Sequence, residues 1–336
     1  MSHMIESMFY VGETPWHGLG TPLEKAPKIE DALELAGLNW KVKKLPTYYS
    51  NQENEEEVYN NYATMPTGHF VTVRDNGTVL GNVGSKYEIL QNVDAFAPFN
   101  VIKDYGYTLE TAGSIDDGKR VWILAKTPDH YLVGDDKVLD YVLLYTSHDG
   151  SSGSCFRDVF IRVVCQNTLS ASLSGKKTFE YKLRHTSSIK DRVTELTDKL
   201  KDRQGNIAMA VDSMNSFLDV SMNEKDLDIY LDAVMPFLSN RHKESNKDLG
   251  ILTRNKALPV YNAIKDAFYT GKGNKGETLW DAYNAVTEYH DHIKSHKQDW
   301  VKATQFGASS KYKKQAFFVA SQIAQKHRKT MIGGTA

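Results

Sequence analysis

Through the first half of the chain, apolar and polar residues alternate in short stretches separated by Gly, Asn and Asp. A period of two is the mark of strands whose alternate side chains face a core. Phe70 to Arg74 and Thr78 to Val83 flank Asp75-Asn76-Gly77, and Asn-Gly supplies the positive φ angles that a tight hairpin demands. Lys119 to Lys126, Val138 to Tyr145 and Val159 to Cys165 are further predicted strands. Helices are predicted at Ile29 to Ala36, stopped by Gly37, and at Asn92 to Tyr105.

After Thr186 the period lengthens to three and four. Ser187 or Ser188 is a predicted N-cap for a helix carrying Ile189, Val193, Leu196 and Leu200, continuing through Ile207, Val211 and Met214 to Leu218. Asn223 caps the next, with Leu227, Tyr230, Leu231 and Val234 on one face before Pro236. Further helices fit Leu258 to Tyr269, Thr278 to Ser295 and Lys311 to Lys326, with Gly271, Gly273 and Gly276 marking a break. The expectation is an α+β protein: residues 1–185 form a domain with a largely antiparallel sheet and helices, and residues 186–336 a mainly helical region. Residues 1–3 read as a vector scar before a native start at Met4. There is no internal repeat of solenoid length.

Composition narrows the class. With 336 residues, 40% hydrophobic and 25% charged, the chain has the makeup of a globular protein. It contains no apolar run of the roughly 18 to 20 residues that a spanning helix needs, and no basic-then-apolar leader. The expectation is therefore no membrane and a cytoplasmic location in a bacterial host. Cys155 and Cys165 fall in predicted strands and read as free, buried thiols; no Cys-x-x-Cys pair begins a zinc site, and neither a metal nor a cofactor is expected.

The formal net charge of −1 hides opposite local fields. Four glutamates lie between Glu53 and Glu57, whereas His296 to Thr330 holds eight Lys or Arg residues, among them Lys311, Lys313 and Lys314, against Asp299 alone. Clustered cations of this kind are the footprint of phosphate binding.

Three segments draw notice. Pro15-Trp16-His17-Gly18-Leu19-Gly20 must be a loop: its Trp16 either plugs a pocket, or His17 and neighbouring amides meet a phosphate or a base. It is not a P-loop, for no Gly-Lys-Ser/Thr follows. Ser147-His148-Asp149-Gly150-Ser151 ends a strand, as a turn seeded by Asp149-Gly150 or as a site built on His148 and Asp149. Around Phe160 to Leu169, Arg157, Arg162 and Arg184 are candidate phosphate contacts. His292 and His296 share the spacing of a helical metal pair but lack the Glu-x-x-His context, so a polar helix face is the simpler reading.

Taken together, these segments resemble the phage- and plasmid-related family built on the uncharacterised domain of unknown function numbered 932. The resemblance rests on the Trp16 loop, Leu90-Gln91-Asn92 with Tyr87, the His148 turn and Arg162-Val163-Val164-Cys165-Gln166-Asn167-Thr168-Leu169. It extends through Arg184-His185-Thr186 and Trp280 with Asn284-Ala285-Val286-Thr287-Glu288-Tyr289. It implies a mobile-element origin and carries no activity.

The reading that follows is a non-enzymatic protein that binds or anneals single-stranded DNA in phage or plasmid recombination or replication. Aromatics would stack bases while cations track phosphates. Its candidate contacts are Arg157, Arg162, Tyr181, Lys182, Arg184, Lys311, Lys313 and Lys314. Self-assembly into a homo-oligomer is expected by analogy with annealing proteins. Two alternatives stand beside it: an interaction protein that inhibits a host defence through an unknown host partner, and an enzyme acting on nucleotides or nucleic acid through His17, His148 and Asp149.

Overall fold

A computed structural model describes residues 5–12, 19–50, 64–164, 167–169, 172–173, 176–177, 180–189, 191–193, 195–196, 204–242, 250–295 and 307–333. The chain is an α+β protein, with its sheets in the N-terminal half and helices beyond. Four long strands form an antiparallel meander: β6 (Thr108–Ile115), β7 (Arg120–Val133), β8 (Asp136–Ser147) and β9 (Ser154–Arg162). On one side β1 (Ile5–Val11) pairs antiparallel with β6, and β2 (Thr21–Leu23) runs parallel to β1 at the edge. The opposite edge of β9 is shared by β10 (Asn167–Leu169) and β13 (Glu180–Leu183). Two residue pairs, β11 (Ser172–Leu173) and β12 (Lys176–Lys177), make a separate ribbon between them.

Alternation along the strands gives the sheet two apolar faces. Val121, Ile123 and Ala125, Val142 and Leu144, and Phe156 pack under α1 (Ile29–Leu35) and α2 (Asn92–Ile102) through Ile29, Ala32, Ala95, Phe96 and Phe99. Trp122, Tyr141, Leu143 and Val159 project from the other face and cluster with Met8, Tyr10 and Ile115. Burial on both sides explains why β8 reads as a nearly continuous apolar run.

The predicted hairpin lies in a smaller antiparallel sheet of β3 (Val42–Ser50), β4 (Thr64–Arg74) and β5 (Val79–Val83), with Gly77 at φ 89° in the turn. This sheet docks on the turn after β8. A Cβ on Gly81 would stand 2.5 Å from the carbonyl oxygen of Asp149, so a glycine is what lets the two backbones meet.

In the C-terminal half, α3 (Gln204–Leu218) buries Ile207, Ala210, Met214 and Phe217 at helical spacing. Asn223 caps α4 (Glu224–Val234) in a capping box with Asp226, and Thr278 caps α6 (Leu279–Glu288) with Asp281. Between them lies α5 (Gly250–Thr270). The helix predicted over Thr278 to Ser295 is α6 followed by a π-helical turn, Tyr289–Ile293. The last helix, α7 (Ala308–Gly333), is longer than the predicted Lys311 to Lys326. The helical core around Phe217, Tyr283 and Phe317 takes in Val133, Val138 and Phe160 from the strand ends, so sheet and helices share apolar contact. Among the described residues, no helix is long and apolar enough to cross a membrane.

Candidate functional site

Where β13 lies on β9, cross-strand register decides which side chains meet. Arg157 stands opposite Glu180, and Cys155 stands opposite both Lys182 and, on its other side, Tyr145. Residues directly opposite in an antiparallel pair share a face, so all five lie on one side of the sheet. The intervening Phe156 and Leu183 enter the core beneath α2. On the polar side the first turn of α7 closes over the strands. The result is a pocket of about 760 Å³ lined by Arg120, Arg157, Lys182, Arg184, Lys311 and Lys314, together with Tyr145, Cys155, Ser310 and the Ser151–Gly153 turn.

Glu180 is the one acid among the lining residues. It accepts from Lys314 at 2.8 Å and pairs with Lys182 at 2.9 Å. Burial pushes its carboxyl up, but these two ammonium groups outweigh that and hold it down at about 2. Burial pushes the Cys155 thiol up, so it stays protonated and is a poor nucleophile. Arg120 is anchored behind the rim by Asp116 and by Asp149 at 3.0 Å. Lys182 and Lys314 keep 67% and 36% of their side chains in solvent, whereas Arg157 is 7% exposed. The pocket is thus a buried guanidinium beneath a rim of partly exposed ammonium groups. Such an arrangement presents positive charge to solvent; among the described residues no cluster of His, Cys, Asp and Glu is placed to hold a metal ion.

Five of the eight contacts inferred from sequence, Arg157, Lys182, Arg184, Lys311 and Lys314, converge here. Three do not. Arg162 is 1% exposed at the far end of β9, ion-paired with Asp136 at 2.5 Å, and faces no solvent. Lys313 is wholly buried against Asp291 at 2.6 Å. Tyr181 turns toward the core face and its hydroxyl donates to the Glu195 carboxylate at 3.0 Å. Trp16 and His17 lie outside the described residues, as do Cys165 and His296.

The His148 turn is a joint between the sheets. Its ring is wholly buried, meets the Asn92 side-chain oxygen at 2.9 Å and sits edge-on to Trp40, while its carbonyl accepts from Thr72 at 2.6 Å. Asp149 is spent on Arg120 and on the Ser151 amide, 2.9 Å away. His148 is therefore sealed in the interior on Asn92, while the half-buried Asp149 is held by Arg120 and Ser151.

Burial, with help from the neighbouring His185, lowers the His148 imidazole from 6.5 to about 3. A base depressed by folding takes up its proton in the unfolded chain first, so its contribution to stability declines as pH falls from 6.5 toward 3. Thermal melts between neutral and acid pH should show this decline, and His148→Gln should flatten it. An equal slope in the variant would assign the acid lability to other groups.

Arg120, Glu180 and Tyr145 escaped the sequence reading. Glu180 and Lys182 stand two apart on a strand, which marks them as sharing a face, but nothing local shows that this face looks at Arg157.

The pocket lies wholly within the span of a family model. A model described as a domain of unknown function, DUF932, matches residues 79–317. The chain belongs to this family. Comparison with curated proteins and with solved structures finds no match. The DUF932 span runs from the start of β5 into α7 and takes in the His148 turn, Arg162, Trp280 and every residue that lines the pocket.

Proposed function

We propose that this DUF932 protein is a non-enzymatic single-stranded DNA binding or annealing protein, at work in phage or plasmid recombination or replication within the bacterial cytoplasm, and that it acts as a homo-oligomer. The observation that carries the reading is the pocket, where Arg157, Lys182, Arg184, Lys311 and Lys314 come together around one already neutralised carboxylate, with Arg120 tied behind them to Asp116 and Asp149. Converging cations release condensed counterions when they meet phosphates, which gives affinity without sequence preference. The mobile-element setting rests on the sequence resemblance. The contact set becomes Lys182, Arg184, Lys311 and Lys314 at the rim with Arg157 beneath; Arg162 and Lys313 leave it because they are buried in ion pairs, and Tyr181 because strand alternation turns its ring to the other face of the sheet. For base stacking we assign Tyr48 and Tyr49 on β3, which are 56% and 50% exposed.

Fluorescence polarisation with a labelled single strand and a duplex, across a salt series, tests this. The protein should prefer the strand and lose it steeply with salt. Lys182, Lys311 and Lys314 changed together to Gln should weaken binding and flatten the log–log salt slope by about 0.7 for each lost contact. No binding at low salt would refute the reading, and an unaltered slope in the triple variant would move the contact surface elsewhere.

A further inference from the structure

The pocket has depth, and depth distinguishes the end of a strand from its middle. Arg157 lies beneath the rim at 7% exposure, while Arg184 and Lys311 are exposed and Lys182 and Lys314 reach in from β13 and α7. A phosphodiester within a strand carries a sugar on each side and presents two non-bridging oxygens, so it can touch the rim without descending to Arg157. A phosphomonoester carries a sugar on one side only. It enters end-on, presents three oxygens and bears up to two negative charges near neutral pH.

The walls suit that group. Gly307 and Ser310 line the pocket at the start of α7, where backbone N–H groups lack partners inside the helix. The Lys311 amide reaches the Gly307 carbonyl only at 3.4 Å. A guanidinium grips phosphate oxygens in a fork that a lysine cannot reproduce. Two residues on from Lys311 in the same helix, Lys313 is paired with Asp291, both side chains fully buried. About 760 Å³ is room for a terminal nucleotide and falls within the range of small-ligand sites.

From this geometry we infer that the pocket recognises the phosphomonoester end of a DNA strand, with Arg157 as the residue that reads it. The inference rests on the strand-binding reading above and adds to it a preference for ends.

The test uses the full chain and labelled single strands of one sequence with a 5′-phosphate, a 3′-phosphate or hydroxyls at both ends. One end-phosphorylated strand should bind at least ten-fold tighter than the hydroxyl-ended strand, and which one does so identifies the polarity. Arg157→Gln should bring the ratio close to one, with Arg157→Lys intermediate. Should Arg157→Gln fail to fold, competition on the unaltered protein decides: excess nucleoside monophosphate should reduce the end-phosphorylated strand to the affinity of the hydroxyl-ended one. Equal binding of all three strands would overturn the inference and leave strand binding intact, whereas no binding of any would overturn both. A ratio that survives in folded Arg157→Gln, or that monophosphate does not erode, would also overturn it.

Discussion

Replacing Arg162 by Met is expected to lower the unfolding free energy by about 2–3 kcal/mol, less than the cost of breaking a fully buried ion pair because the guanidinium is buried but its partners are in part exposed. Its Nε donates to Asp136 at 2.8 Å, and its terminal nitrogens donate to the Asn274 side-chain oxygen at 2.8 Å and to the carbonyls of Gly273 at 2.7 Å and Lys272 at 3.3 Å. Trp280 completes the arrangement, its indole N–H donating to Asp136 at 2.7 Å and its ring lying 5.6 Å from the guanidinium. One side chain thereby ties the end of β9 to the loop between α5 and α6. Methionine fills much of the volume but leaves four acceptors short of a donor; Asp136 keeps 18% of its side chain in solvent and Lys272 and Gly273 are exposed, so water replaces part of what is lost. Urea denaturation followed by tryptophan fluorescence measures the loss, and a change below about 1 kcal/mol would mean that those groups find other partners. Lysine should rescue only in part, because it carries the charge without the fork.

Lys313→Met is expected to cost more, about 3–5 kcal/mol, because the Asp291 carboxylate is then left charged in the interior. Both side chains are fully buried. The informative measurement is a double-mutant cycle. Lys313→Met with Asp291→Leu should recover much of the stability, since an apolar pair of similar volume replaces an ion pair whose desolvation is expensive. If the double variant is as unstable as the sum of the single ones, the two charges do not act as a pair. Strand binding supplies a second contrast: Lys313→Met, once folded, should retain the salt slope that the Lys182, Lys311 and Lys314 variant loses.

That contrast shows how far local pattern reaches. Lys311, Lys313 and Lys314 look alike in sequence, yet at about 100° per residue Lys311 and Lys314 fall within about 60° of one another, while Lys313 points away from Lys311 by about 160°. Treating the run as one basic face overlooked a periodicity that was there to be read. Tyr181 is the same lesson on a strand, since its neighbours Glu180 and Lys182 share the pocket face and alternation sends the ring to the other side.

Local chemistry alone determined the Asp75-Asn76-Gly77 hairpin, the stop of α1 at Gly37, the Asn223 cap and the change from strands to helices after Thr186. Turn angles, caps and the periods of two and 3.6 depend on residues a few positions apart, so they are written in the order of the chain. The pocket depended on tertiary structure. Lys314 meets Glu180 across 134 positions, and Arg162 meets Asn274 across 112. Whether an Arg on β9 is buried beneath a rim of lysines, as Arg157 is, or riveted to a loop, as Arg162 is, depends on which element packs over each end of one strand. That choice is made by register and by the burial of distant apolar faces, and no short stretch of sequence contains it.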